Sequence, residues 1–323
     1  MASFFFQQIL NLSVFSIVFK LVAPVILAAI GGLFCGKVGV MNIGLEGAML
    51  VSAFFSIVIN ALTGNWFLGI LAGCAASVFL CLMLAFFTFK YKAHHIVTGF
   101  AINTFASAIT VFLLQTFFGS SGSYQPEEVA MIPVVNIPVI EDIPILSVIS
   151  GHSLIVWIAF LCVVLCSIVF YKTPYGAHLI AVGENVQAAR SVGINDLKIK
   201  YSAFVICGVL CGIGGAFLST GTTSMFVRDM TAGNGFIALA VISLGNARPY
   251  GVLRGGLIFG FANAIAILIE TYPGLSIPSQ FIQAIPYAVT ILMLAIHVLQ
   301  NNRKMMAPVK IKGAGKEDDD GRQ

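Results

Sequence analysis

Apolar residues in this chain come in long runs, with few of the polar interruptions that give a soluble helix or strand one wet face. An α-helix of about 20 apolar residues spans the hydrocarbon layer of a bilayer, and helices suit that setting because each satisfies its own backbone groups. Nine crossings are predicted, at residues 15–34, 42–62, 66–89, 96–118, 154–171, 201–220, 233–245, 255–270 and 281–298. The first is the weakest, because Lys20 sits within it and residues 4–19 also read as an amphipathic helix lying in the interface. The seventh is short for a full crossing. No cleavable signal peptide is expected, since the N-terminus lacks a basic region and a small-residue cleavage site. The pattern predicts an all-α polytopic membrane protein with about 8–10 transmembrane helices.

Composition agrees: 9% of residues are charged and the mean hydropathy is +0.98, against about 25% charged residues in ordinary globular domains. The few charges fix an orientation. Lys37, Lys90, Lys92, Lys172, Arg190, Lys198, Lys200, Arg248, Arg254, Arg303, Lys304, Lys310, Lys312, Lys316 and Arg322 fall on one side of the predicted spans. Only Lys20 and Arg228 fall on the other, with Glu127, Glu128, Glu141, Asp142, Asp229 and Glu270. Cytoplasmic connections hold lysine and arginine in excess, so the C-terminus is expected in the cytoplasm and, with nine crossings, the N-terminus outside. The net charge of +4 then reflects inner-surface residues, and no nucleic-acid partner is called for. The expected organisation is a membrane domain at 1–304, with a long extracytoplasmic loop at 119–152 and a long cytoplasmic connection at 172–200. A tail at 305–323, rich in Lys, Gly and Asp, is expected to be disordered.

Several features point to packing rather than chemistry. Cys74, Cys81, Cys162, Cys166, Cys207 and Cys211 lie inside spans without C-x-x-C spacing, and a buried free cysteine acts as a small hydrophobe. His94 and His95 sit at a cytoplasmic edge. Gly208-x-x-x-Gly212, Gly251-x-x-x-Gly255 and Gly256-x-x-x-Gly260 each put two glycines on one helix face, where another backbone can come close. Residues 31–37 read Gly-x-x-x-x-Gly-Lys, but Val38 follows where a phosphate-binding loop needs Ser or Thr. The sequon at Asn11 lies in an apolar segment. No Ser/His/Asp set, His-Glu-x-x-His string or aspartate pair within the spans is present. The expectation is a chain with no catalytic residues, no metal site and no cofactor of its own.

Two segments break the pattern. Met41-Asn42-Ile43-Gly44-Leu45-Glu46-Gly47 places a carboxylate and two glycines at the head of an apolar run, where an ionisable group needs a partner or a function. The connection at 172–200 carries the turn signal Thr173-Pro174-Tyr175-Gly176 and then Gln187-Ala188-Ala189-x-x-x-Gly193, a low-profile helix ended by glycine that suits docking into a groove on a partner.

The Gln187-Ala188-Ala189-x-x-x-Gly193 string resembles the Glu-Ala-Ala-x-x-x-Gly loop by which permease subunits of bacterial ABC importers engage their ATPases. Glutamine stands where the family has glutamate, and Glu184 lies three residues earlier. Four further stretches resemble the nucleoside-type permeases of the superfamily that also carries branched-chain amino acids and ribose. They are residues 40–47, His95-Ile96-Val97-Thr98-Gly99 with Asn103, residues 171–176 with 181–185, and residues 235–240. The resemblance covers roughly residues 20–300. It implies a permease subunit in the bacterial plasma membrane, and it assigns ATPase coupling to Glu184, Gln187, Ala188, Ala189 and Gly193. It also implies four kinds of partner beyond membrane lipid: a cytoplasmic ABC ATPase that uses ATP and Mg, a second homologous permease chain, an extracytoplasmic substrate-binding lipoprotein and a nucleoside substrate.

An inverted repeat with broken helices is expected, with span five as connector and the two halves opposed. Gly31-Gly32-Leu33-Phe34 and Gly214-Gly215-Ala216-Phe217 end corresponding spans, and each precedes a glycine-interrupted segment. On that basis Asn42, Glu46, Asn103, Asn234, Phe236 and Asn263 are the candidate substrate-path residues. Asn42 and Glu46 share a face if their segment is helical, the amides can hydrogen-bond a base edge or ribose hydroxyls, and Phe236 can stack on a base. A permease for ribose, other sugars or branched-chain amino acids is the alternative, followed by an ion-coupled secondary transporter.

Overall fold

The computed structural model describes residues 12–120, 122–135 and 151–271, with scattered positions between 278 and 295. In chain order the helices are α1 (Leu12–Lys37), α2 (Leu45–Thr63), α3 (Trp66–Lys90), α4 (His95–Phe118), α5 (Leu154–Lys172), α6 (Pro174–Glu184) and α7 (Val186–Ser191). Then come α8 (Asp196–Ala216), prolonged by a π-helical stretch at Phe217–Thr223, α9 (Asn234–Leu244) and α10 (Pro249–Thr271). Among the described residues seven helices are long and apolar enough to cross a membrane, with α8 and its π-helical stretch counted as one. They correspond to predicted spans one to six and eight. The seventh is α9, whose 11 residues reach only about 16 Å, half a bilayer. The ninth, at 281–298, and the tail at 305–323 lie outside the described residues apart from the scattered positions. So do residues 136–150 of the predicted outer loop.

The helix the sequence marked as weakest is the centre of the molecule. Residues 22–29 of α1, apart from Pro24, are apolar side chains with no exposed surface. The helix runs unbroken over Leu12–Lys37, so its described part does not lie apart in the interface. Lys20 is tolerated because it sits toward one end and remains exposed. α1 packs against α5, α8, α9 and α10.

Small residues set these contacts. A Cβ on Gly208 or Gly212 of α8 would lie 2.5 Å from Val78 Cα or 2.6 Å from Cys74 Cα of α3. Gly256 and Gly260 of α10 sit over Val22 of α1. Without a hydrophobic drive between helices in lipid, backbone approach of this kind supplies the packing energy. Between α2 and α3 the chain turns sharply: Gly64 takes a left-handed φ of 63° and Asn65 caps α3 by accepting from Phe67 N at 2.9 Å.

Lys37, Lys90, Lys172, Arg190, Lys200 and Arg248 mark one end of the bundle, called the basic end here. At the opposite end short antiparallel pairs tie the loops together, Ser123–Tyr124 (β1) to Phe226–Val227 (β4) and Val134–Val135 (β2) to His152–Ser153 (β3). α1 runs toward the basic end and α8 away from it. Each is followed by a break and a further helix, α2 and α9, and the halves interlock: α8 packs on α2 and α1 on α9. This is the inverted arrangement expected from the two glycine-interrupted segments.

Candidate functional site

The first break follows Lys37. Val38 and Val40 donate back to the Cys35 carbonyl at 3.2 Å, and Gly39 takes a φ of 83°. The helix resumes at Leu45, so Asn42 lies before α2 and does not share a helical face with Glu46. Fully buried, Asn42 uses its side chain locally. Its Oδ1 accepts from Gly44 N at 2.9 Å, and its Nδ2 points to Cys207 Sγ at 3.3 Å and Cys81 Sγ at 3.6 Å. Asn103 of α4 brackets the start of α2, donating to the Ile43 carbonyl at 2.9 Å and accepting from Gly47 N at 2.8 Å. Two backbone groups that a broken helix leaves orphaned are thereby satisfied.

The second break is longer. After the π-helical stretch, whose Thr220 and Thr222 hydroxyls return to carbonyls at 2.6 Å, left-handed conformations recur at Ser224, Asp229, Ala232 and Gly233. Three of these four are not glycine. Such residues cost about 1–3 kcal/mol each and persist only where surrounding structure enforces them.

Glu46 joins the two breaks. Its Oε1 accepts from Gly233 N at 2.8 Å and its Oε2 from Gly235 N at 2.6 Å. A carboxylate at the head of α2 therefore caps α9, meeting two orphan N–H groups and the positive end of that helix dipole. The approach requires glycine at 235, where a Cβ would lie 2.6 Å from Glu46 Cα.

Around this junction one flank is open. Phe100 of α4 and Phe236 of α9 stack with centroids 6.1 Å apart and planes at 28°, both exposed. Ser107 donates to Asp229 Oδ1 at 2.6 Å. The Asn234 side chain is half-buried and makes no hydrogen bond among the described residues. Of the sequence candidates, Glu46, Asn103, Asn234 and Phe236 therefore gather at the junction. Asn42 lies behind it, and Asn263 sits on α10 with no hydrogen bond to the others among the described residues. Phe100, Ser107 and Asp229 were missed. Phe100 directly follows the His95–Gly99 string, but its pairing with Phe236 needs the fold.

The coupling candidates cluster at the basic end, on two short helices where the sequence suggested one. Thr173 caps α6 by accepting from Gly176 N at 3.2 Å, with Pro174 in the first turn. Asn185 separates the helices and caps α7, accepting from Gln187 N and Ala188 N at 3.0 Å. Glu184, Gln187, Ala188 and Gly193 are exposed, whereas Ala189 faces inward and is buried. Gly193, at φ 84° just beyond α7, ends the helix as expected. Arg190 makes a bidentate pair with Asp196 at 2.8 and 3.0 Å, which holds its guanidinium above its ordinary pKa, and Lys200 joins Asp196 at 3.3 Å. This pairing fastens α7 to the foot of α8. Exposed Val192 and Leu197 add apolar surface beside it. Behind α6, Gly183 packs against the Lys37 carbonyl and Gly39, at the exit of α1.

Inverted halves, two broken helices meeting inside the bundle and a helical platform at the basic end define a multi-pass membrane protein of the transporter type. The chain belongs to the family described as branched-chain amino acid transport system / permease component, whose model matches residues 14–295. The nucleoside ABC transporter permease protein NupC of Lactococcus lactis is 36% identical over 282 residues, 84% of this chain and 88% of that one. The guanosine ABC transporter permease protein NupQ of Bacillus subtilis is 35% identical over 284 residues, with the same coverage of 84% and 88%. The glucose ABC transporter permease protein TsgB13 of Haloferax volcanii is 26% identical over 257 residues, 73% of this chain and 64% of that one.

Proposed function

We propose that this chain is the membrane-spanning subunit of an ATP-driven importer that carries nucleosides across a bacterial plasma membrane. The observation that carries the substrate class is the likeness to NupC and NupQ across most of both chains. The junction suits such a solute. A nucleoside offers a planar base, which can stack on Phe100 or Phe236, and a ribose whose hydroxyls can donate to Asp229 and pair with the Asn234 amide. The basic end is cytoplasmic by its excess of lysine and arginine, which leaves the β1–β4 and β2–β3 pairs facing the lipoprotein that delivers substrate. Further along the open flank, where α4 exposes Phe105 and Phe112, the second homologous permease chain is received.

ATP and Mg act in the partner ATPase, which docks on α6 and α7. Movement of these helices reaches the first break through the contacts of Gly183 with Lys37 and Gly39. From there residues 42–47 and the Glu46 cap lead to α9. Hydrolysis in the partner thus shifts the junction between its two sides, and this chain contributes path and lever. TsgB13 supports a second reading, in which a sugar takes the same place.

Uptake of labelled guanosine, adenosine and uridine tests the proposal, in cells with and without the chain and in a strain with a disabled ATPase. Uptake should vanish in both defective strains and resist excess glucose, ribose and leucine. Phe236→Ala should raise KM about 5- to 150-fold, the worth of one base–aromatic stack. Competition by a sugar would move the chain to the second reading, and uptake that survives loss of the ATPase would refute ATP coupling.

A further inference from the structure

A recess of about 670 Å³ opens at the basic end between the foot of α5 and the start of α10, well away from the helix junction. Tyr171, Arg248, Tyr250, Arg254 and Ile258 line it, and no carboxylate does among the described residues. The turn that presents Arg248 is tightly specified: Asn246 and Ala247 both take left-handed conformations, at φ 53° and 49°. Arg190 and Lys200 at this end are matched by Asp196, but Arg248 and Arg254 form no ion pair among the described residues. Two exposed guanidinium groups in one recess create a standing attraction for an anion, and their planar forks suit phosphate oxygens.

The recess is also amphiphilic. Tyr250, Arg254 and Ile258 are four apart and share a face of α10, all exposed. Phe261, exposed one turn further into the membrane span, continues that face. Tyr171 stands opposite at the end of α5, and tyrosine favours this level because its ring is apolar and its hydroxyl wet. The site therefore passes from a polar mouth of two arginines and two tyrosines to an apolar wall at Ile258 and Phe261. We propose that it binds an anionic phospholipid from the inner leaflet, with the headgroup phosphate between Arg248 and Arg254 and an acyl chain along Ile258 and Phe261. A soluble phosphate would leave the apolar wall unused.

Native mass spectrometry of the full transporter complex, titrated with phosphatidylglycerol and with phosphatidylcholine, tests this. Wild type should retain phosphatidylglycerol preferentially, and rising ionic strength should erode the preference. The R248Q/R254Q double substitution should weaken phosphatidylglycerol binding about 30-fold, from the usual worth of two basic residues near an anionic lipid, while leaving phosphatidylcholine binding unchanged. Equal retention of the two lipids by wild type, or an unaltered preference in the double variant, overturns the proposal. So does displacement of the lipid by inorganic phosphate, which would mark a site for free anions. If the double variant fails to assemble, the wild-type lipid preference and its salt dependence still decide the matter.

Discussion

Replacing Glu46 with glutamine changes one atom's chemistry at the point where the two halves meet. The carboxylate accepts two short hydrogen bonds, from Gly233 N at 2.8 Å and Gly235 N at 2.6 Å. Glutamine keeps one acceptor and turns an NH₂ group toward the other donor, so one bond is lost and one N–H is left opposing another. A hydrogen bond to a charged group contributes about 1.5–3 kcal/mol and the helix-dipole attraction a further ~0.3–2. Because Glu46 is half-buried and water can replace part of the loss, about 2 kcal/mol is expected. Gly233 and Gly235 are the only amides that the carboxylate reaches among the described residues, so the loss should concentrate at the start of α9. Hydrogen–deuterium exchange on the assembled complex should show about 30-fold faster exchange at the start of α9, with little change in α3. Uptake should fall with protein level unchanged. Unaltered exchange there would refute the capping role, and loss of the whole protein from the membrane would show that the cap serves folding before it serves transport.

Asn103→Ala removes both arms of the bracket on α2, leaving the Ile43 carbonyl and Gly47 N–H without their partner. A stability loss of about 2–4 kcal/mol is expected from two orphaned groups, measured as a lower thermal midpoint of the complex, whereas Asn103→Asp should retain the bond from Gly47. Gly193→Val forces a β-branched residue to a φ of 84° although no atom lies near its Cβ. It should leave the chain in the membrane while shifting α7 and lowering co-purification of the ATPase, and a complex that stays intact with normal transport would count against the docking platform.

The sequence alone determined the number and placement of most membrane helices, because in lipid a helix must satisfy its own backbone and an apolar run of fixed length reads out directly. It also marked the two breaks, through glycine and an isolated carboxylate, and the bounds of the short helices at the basic end, through Thr173, Pro174 and Gly193. These are local signals, each set by the residue's own backbone preferences. It could not show what Glu46 touches: its partners lie 187 and 189 residues away, and nothing near Glu46 in the chain encodes them. For the same reason α1 looked weakest by composition yet proves to be the core, since burial depends on how many neighbours surround a helix. Asn42 and Asn103 carry the same amide, and only tertiary packing sends one behind the junction and sets the other across the head of α2. Hydrophobic patterning thus fixed which segments enter the membrane, while backbone contacts at glycine decided which of their polar groups meet.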